Sequence, residues 1–497
     1  MKPISIERRL ANSNLYAYLI SAAAFIYYLL LLTDGKFLIF LPSERGMIFN
    51  NMLEHLLRGE FNVDPAVAAY ESFVLNGKTY SYFGIAPVIF RLPLLATGTL
   101  AHVDITLLSC ATAVAIGLLA KIKAVLFVSS RLPPSDLRAL TRTLLIAGLV
   151  LGGAQVQFLR ASIYQEALDW AGALAAMYVY CCLRGLLSQQ RFSTGLVWGM
   201  ATLAGLTLLT KVSTAVGLYV ATGLLLVVLA SAAPPVSRSQ IASFARKLMG
   251  GRTLGALVIL LAFAAACGIV NYERWGNPLV FADFHYYPFP HKQPVFDEYG
   301  EFNIRRLWYG LLYYFFPIWT IIRPDGQLLF SEFQSRVMFN YDVPMSTFLL
   351  SDPLLLVFSG IFILSLPQLH RAREIDLRAV AALVIGFAAP ILLMLTAIGM
   401  TYRYRMEFHP LIEFLAYLGF YAMCMRATVG SPSPRGRSQW LLIICAGGGI
   451  AVSHALLLMY KLSWYLDETE LLRDGWIQYY GHALKTKFPT LAAHLPF

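Results

Sequence analysis

The sequence predicts an all-α polytopic membrane protein. It has about eleven transmembrane helices (range about 10–13), with interfacial helices in two long polar regions. Three observations predict this. The chain has 497 residues, 58% hydrophobic and 13% charged, with a mean hydropathy of +0.61, more apolar than a soluble domain of this size needs. Apolar runs near the ~20 residues required to cross a bilayer recur from end to end. The basic residues gather in short connections between those runs.

Residues 1–14 are polar and carry Lys2, Arg8 and Arg9. The apolar run that follows, 15–33, is too long for a signal peptide and lacks a small-residue cleavage site, so it reads as an uncleaved first span. The remaining spans are expected at 104–129, 143–158, 167–183, 194–209, 212–231, 253–271, 351–367, 379–398, 409–425 and 439–460. Two further apolar runs are expected not to span. Pro87, Arg91 and Pro93 interrupt 86–101, while 306–322 carries Pro317 and is mostly aromatic, a composition suited to the interface.

Net charge is +11. With the N-terminal cluster, the groups Arg131/Arg138/Arg142, Arg184/Arg191, Arg238/Arg246/Lys247/Arg252, Arg371/Arg373/Arg378 and Arg426/Arg435/Arg437 fall at alternate turns of this path. The positive-inside tendency assigns them to the cytoplasm. Alternation then places 34–103, 273–350 and the tail 461–497 on the outer face. The chain divides into a module 1–271 that includes the outer loop 34–103, an outer-face region 272–350, closing helices 351–460 and the tail 461–497. Charge spread among loops speaks against a nucleic-acid partner and for contact with membrane lipids. The six cysteines lie in or beside apolar runs without metal-ligand spacing and read as small apolar residues.

Both polar regions are rich in aromatics and charge. In SERGMIFNNMLEHLLRGEF, Met47, Leu53, Leu56 and Leu57 sit at near-helical spacing, as in an amphipathic helix at the interface, with Glu44 and Arg45 just before it. Asn76-Gly77 marks a turn, and Tyr80, Tyr82 and Phe83 follow. The segment after residue 271 carries Asp283, His285, Arg305 and Arg306 among many rings. Three short outer connections also hold charge: Tyr164, Glu166 and Asp169; Lys211; and Arg403, Tyr404, Arg405, Glu407 and His409. Cations retained on the face where they are disfavoured point to an anionic partner, and a guanidinium holds phosphate oxygens bidentately.

In this order the pieces resemble the GT-C superfamily, multi-spanning glycosyltransferases that use polyprenyl-phosphate sugars and include protein O-mannosyltransferases and lipid A aminoarabinose transferases. SERGMIFNNMLEHLLRGEF is similar to the family's first outer loop. NGKTYSYFGIAPVIFRLPLL is similar to the element after it, and IYQEALDW to its Tyr-x-Glu segment. LLTKVST, NYERWGNPLVF and TYRYRMEFHP resemble later family elements. The resemblance implies a GT-C-like fold and an inverting transfer from a polyprenyl-phosphate sugar to a lipid, glycan or protein acceptor at the outer face of a bacterial inner membrane. It implies Glu44 as the catalytic base, Lys211, Arg403 and Arg405 as phosphate contacts, and Glu166 and Tyr82 as orienting groups. Arg45, Tyr164 and Tyr404 complete the substrate-binding candidates.

The chain departs from the pattern in carrying Glu44 followed by Arg45 where better-known members have an Asp, often with a second acid. No Lys stands between Tyr82 and Pro87; Lys78 is the nearest. No cofactor is called for, and a divalent metal is compatible but has no acidic pair to bind it. Glu54, Asp64 and Glu71 compete with Glu44, which also suits the dipole of the helix that follows it. Other functional classes are a transporter or flippase of lipid-linked or small solutes, a surface-polysaccharide polymerase or ligase, and a non-catalytic scaffold. Ionisable groups in mid-span would favour transport, which makes Lys121 and Lys123 the residues to inspect.

Overall fold

The computed structural model describes residues 6–153, 161–189, 191–231, 250–286, 293–321, 323–325, 327–341, 347–372, 375–428, 437–463, 478–486 and 489. Lys2, Arg238, Arg246, Lys247, Arg373 and Arg435 of the basic clusters lie outside them, as does most of the tail.

Among the described residues each predicted span falls on a helix, although the one expected at 143–158 begins at Asp136 and ends at Leu151, and 154–158 lie outside the described residues. The helices are α1 (Ile6–Leu32), α4 (Thr106–Ser130), α5 (Asp136–Leu151), α6 (Ile163–Leu187), α7 (Thr194–Leu208), α8 (Val212–Ala230), α9 (Gly251–Trp275), α11 (Pro353–Ala372), α12 (Leu377–Thr396), α13 (His409–Thr428) and α14 (Arg437–Ser463). Eight of them are long and apolar enough to cross a membrane. The other three depart for readable reasons. α5 and α7 have 16 and 15 residues, about 22–24 Å at 1.5 Å per residue. α13 has the length but opens on His409 and Glu413. Ser135 caps α5 by accepting from the Arg138 N–H, and Asp376 caps α12 by accepting from two amides.

The apolar stretches expected not to span are short and broken. Residues Ala86–Arg91 form a 3-10 turn, and α3 (Leu92–Thr97) follows with proline in its first turn. α10 (Leu307–Phe315) has nine residues, about 14 Å. The amphipathic helix is α2 (Ile48–Leu57), which buries Ile48, Phe49, Met52 and Leu53. Leu57 turns outward at 61% exposure, because the apolar stripe begins at Ile48, one residue later than the predicted Met47. The Asn76-Gly77 turn joins β1 (Phe73–Leu75) and β2 (Lys78–Tyr80) as a hairpin, with φ of +52° and +73° at its centre. That is the twist a two-residue hairpin requires.

The principal helix pairs are α4 with α6, α8 with α12, α11 with α13 and α7 with α9. Small residues let backbones approach, as between helices in lipid. A Cβ on Gly217 of α8 would lie 2.7 Å from the Pro390 ring of α12. The first and last long helices also meet: Lys461 of α14 reaches the Leu31 carbonyl at the end of α1 and lies 3.3 Å from Asp34.

At one end of the bundle the two polar regions join. Phe73 lies edge-on to Tyr82, Trp275 and Phe284, with centroids 5.6, 5.6 and 5.7 Å away. Arg306 anchors the second region. Its guanidinium donates to the Val337, Gly300, Glu301 and Thr396 carbonyls. Burial brings its pKa down to about 10, so it remains charged at neutral pH. A parallel pair of two-residue strands, β3 (Asn340–Tyr341) and β4 (Gly399–Met400), completes the seam.

Candidate active site at one end of the bundle

Asp104 holds the turn before α2. Its carboxylate accepts from the Ser43 N–H at 2.6 Å and the Thr106 N–H at 2.8 Å. Gly46 packs directly on that carboxylate, with no room for a Cβ. Between Ser43 and Gly46 stand the half-buried Glu44 and Arg45, the latter at φ +56°. Glu44 pairs with Ser162 in a β-bridge, its carbonyl accepting from the Ile163 N–H at 3.4 Å. The turn carrying the candidate base therefore abuts the first residues of α6.

Tyr164 on α6 is the centre of the assembly. The Arg403 guanidinium lies 4.5 Å from its ring centroid and 5.9 Å from that of Tyr404. Lys211 Nζ sits 5.2 Å from the Tyr404 centroid and 3.5 Å from Glu407 Oε1. Phe83 meets Tyr164 at 5.7 Å, and Tyr82 stacks on Phe83 at 4.4 Å. The Tyr164 hydroxyl donates to Glu71, which is buried. The structure thus brings Glu44, Arg45, Tyr82, Tyr164, Lys211, Arg403 and Tyr404 into one region through successive contacts.

Two candidates have different surroundings. Glu166 is fully buried, and both of its oxygens accept from Arg91, one at 2.7 Å. Arg91 also donates to Asn50 and Thr106. Arg405 is fully buried, paired with Asp352, donating to Ser351 at 2.7 Å and Tyr402 at 2.9 Å, and lying 4.2 Å over the Phe348 ring. Both are closed off from solvent and committed to these partners.

Four residues the sequence did not single out as site groups also shape it. Arg91 and Asp104 do so as described. Arg274, at the end of α9, donates to the Phe83 carbonyl at 2.9 Å. Glu407 accepts from the Ser213 and Thr214 hydroxyls at 2.6 and 2.7 Å, which places a carboxylate at the N-terminus of α8 and beside Lys211. Their partners lie too far along the chain for any motif to show.

No three His, Cys, Asp or Glu side chains gather as a metal-ligand set among the described residues. Asp104, the acid packed against the Glu44 turn, accepts a backbone amide on each of its oxygens. In mid-bundle, Lys121 is neutralised by Glu413 at 2.6 Å, and Lys123 is exposed, where its chain can extend to the membrane surface.

No protein-family model matches the chain, and no curated protein matches it. Solved structures of the oligosaccharyltransferase of Archaeoglobus fulgidus are similar in part. The apo form is 12% identical with a TM-score of 0.45, and the match covers 94% of this chain and 59% of that one. The form tethered to an acceptor peptide containing the NVT sequon is 11% identical with a TM-score of 0.46 and the same coverage. The complex of this enzyme, AglB, with an inhibitory peptide and a dolichol-phosphate is 11% identical with a TM-score of 0.45, covering 89% of this chain and 55% of that one. The chain thus spans less than two thirds of their length.

Proposed function

We propose that the chain is a membrane glycosyltransferase of the GT-C type, acting at the outer face of a bacterial inner membrane. It would transfer a sugar from a polyprenyl-phosphate donor to a hydroxyl of a lipid, glycan or protein acceptor. The observation that supports this reading most is the meeting of Lys211 and Arg403, from separate loops, over the rings of Tyr404 and Tyr164 beside the Glu44 turn. Cations framed by aromatic faces suit a sugar phosphate: the charges meet phosphate oxygens and the rings meet the sugar.

In the proposed reaction Glu44 takes the proton of the acceptor hydroxyl, and that oxygen attacks the anomeric carbon from the side opposite the phosphate. The bond from the anomeric carbon to the phosphate oxygen breaks, and polyprenyl phosphate leaves with the electron pair, its charge stabilised by Lys211 and Arg403. Tyr82, Tyr164 and Tyr404 orient the sugar, and Arg45 flanks the base. Glu166 and Arg405 act from below, holding Arg91 and the 402–407 turn in place.

The test is transfer in proteoliposomes supplied with polyprenyl-phosphate sugars and followed by mass spectrometry. Glu44→Gln is expected to lower the rate by about 100-fold or more with thermal stability unchanged. A full rate in that variant would remove Glu44 as the base, and Glu71→Gln is the comparison.

A further inference from the structure

A second polar cluster lies deeper, between α4, α6 and α13. Lys121, His409 and Glu413 are 2–3% exposed. Lys121 Nζ comes within 2.6 Å of Glu413 Oε1, and His409 Nδ1 within 3.5 Å of the same oxygen. At strict hydrogen-bond angles Lys121 Nζ, Glu413 Oε1 and both ring nitrogens of His409 lack a partner among the described residues. Glu413 has looser contacts with Lys121 and the Tyr417 hydroxyl, and His409 has one with the Gly153 backbone, which leaves one ring nitrogen for a further partner. These side chains line a cavity of about 10 Å³ together with Gly172, Ala176, Met406 and Pro410. Around them, the Gly153 backbone and Arg405 face His409, and Tyr417 and Asp352 face Glu413.

The cavity lies well inside the bundle. Lys121 is fifteen residues past the start of α4 at Thr106, about 22 Å along the helix. Gly172 is eight residues beyond Tyr164 on α6, about 12 Å deeper than the ring that meets Arg403. The chain therefore descends through the 402–407 turn, and α13 begins below the candidate active site.

We propose that Lys121, His409 and Glu413 hold one ordered water molecule, and that this hydrated charge cluster fixes the descending 402–409 segment to α4 and α6. The cavity has about the 10–15 Å³ that a water needs. A water accepts from Lys121 Nζ and donates to Glu413 and to one nitrogen of His409, the three hydrogen bonds typical of buried water. A metal ion is disfavoured by Lys121 and an anion by Glu413, whereas a small neutral dipole satisfies both.

The experiment uses the full chain in lipid nanodiscs, imaged by electron cryomicroscopy at a resolution that shows buried waters. A peak within hydrogen-bond reach of all three side chains is expected. Ala176→Val, which fills the cavity, is expected to remove the peak and shift Tm down by a few degrees. A cavity without density, or a variant with raised Tm, overturns the water site. Hydrogen exchange tests the anchoring. Lys121→Met is expected to speed exchange at the amides of 402–408 by about tenfold and leave α9 unchanged; unaltered exchange there overturns it. Neither measurement depends on transferase activity, so a failure here is separate from a failure of the proposed reaction.

Discussion

Arg91 and Arg405 are fully buried, and each meets a carboxylate from a distant element, Glu166 and Asp352. Taking a guanidinium out of water is costly, and a partner's removal leaves a bare charge in the bundle. Arg91→Met is accordingly expected to destabilise the protein by about 3–5 kcal/mol, with Arg91→Met/Glu166→Leu recovering most of the loss. Thermal unfolding of the purified variants checks this, and equal losses in the single and double variants would contradict it. The same residues mark what could be read from sequence. Glu166, Lys211, Arg403 and Arg405 stand out there as charges at span ends. Which of them are fully buried in ion pairs and which stay partly exposed depends on Arg91, Asp352 and Glu407, and no local pattern announces those pairings.

Elements were more legible than contacts. Helix positions follow from apolar run lengths, and the hairpin follows from Asn76-Gly77, because both depend on near neighbours. The descent of the 402–407 turn was hidden, since TYRYRMEFHP has the composition of a surface loop. The close approach of the first loop to the α7–α8 junction was hidden too. Ala86 donates to the Leu209 carbonyl at 2.9 Å, and a Cβ on Gly84 would lie 2.6 Å from the Thr210 carbonyl oxygen. Both obstacles are backbone. Gly84→Ala is expected to cost about 1–3 kcal/mol by overpacking and to displace Tyr82 and Phe83 from Tyr164. Loss of Tm together with faster proteolysis of the 60–85 segment, leaving the bundle intact, is the outcome that checks it. A variant with wild-type Tm and cleavage would show that the junction can yield.

At the scale of the whole molecule, the charge map has the eleven predicted spans alternate in direction, which puts both polar regions at one end and the basic turns at the other. The proposed orientation follows from charge. It predicts that a membrane-impermeant thiol reagent labels Lys78→Cys in intact cells and labels Ser193→Cys only after permeabilisation. Both sites are exposed, whereas the native cysteines are buried or half-buried. The reverse pattern would invert the topology and place the Glu44 turn in the cytoplasm. Phe73, joined to Trp275 and Phe284, explains why two regions 200 residues apart form one lobe: the ring cluster needs both.

The contact of Lys461 with Leu31 and Asp34 bears on how the bundle is made. α1 packs on α4 and α5, which follow it closely in the chain, but its partner Lys461 is synthesised about 430 residues after Leu31. Until then the Leu31 carbonyl and Asp34 lack this cation. A chain stalled before residue 461 would therefore carry the candidate active-site residues and the α1 contacts with α4 and α5, but not this cation at the end of α1.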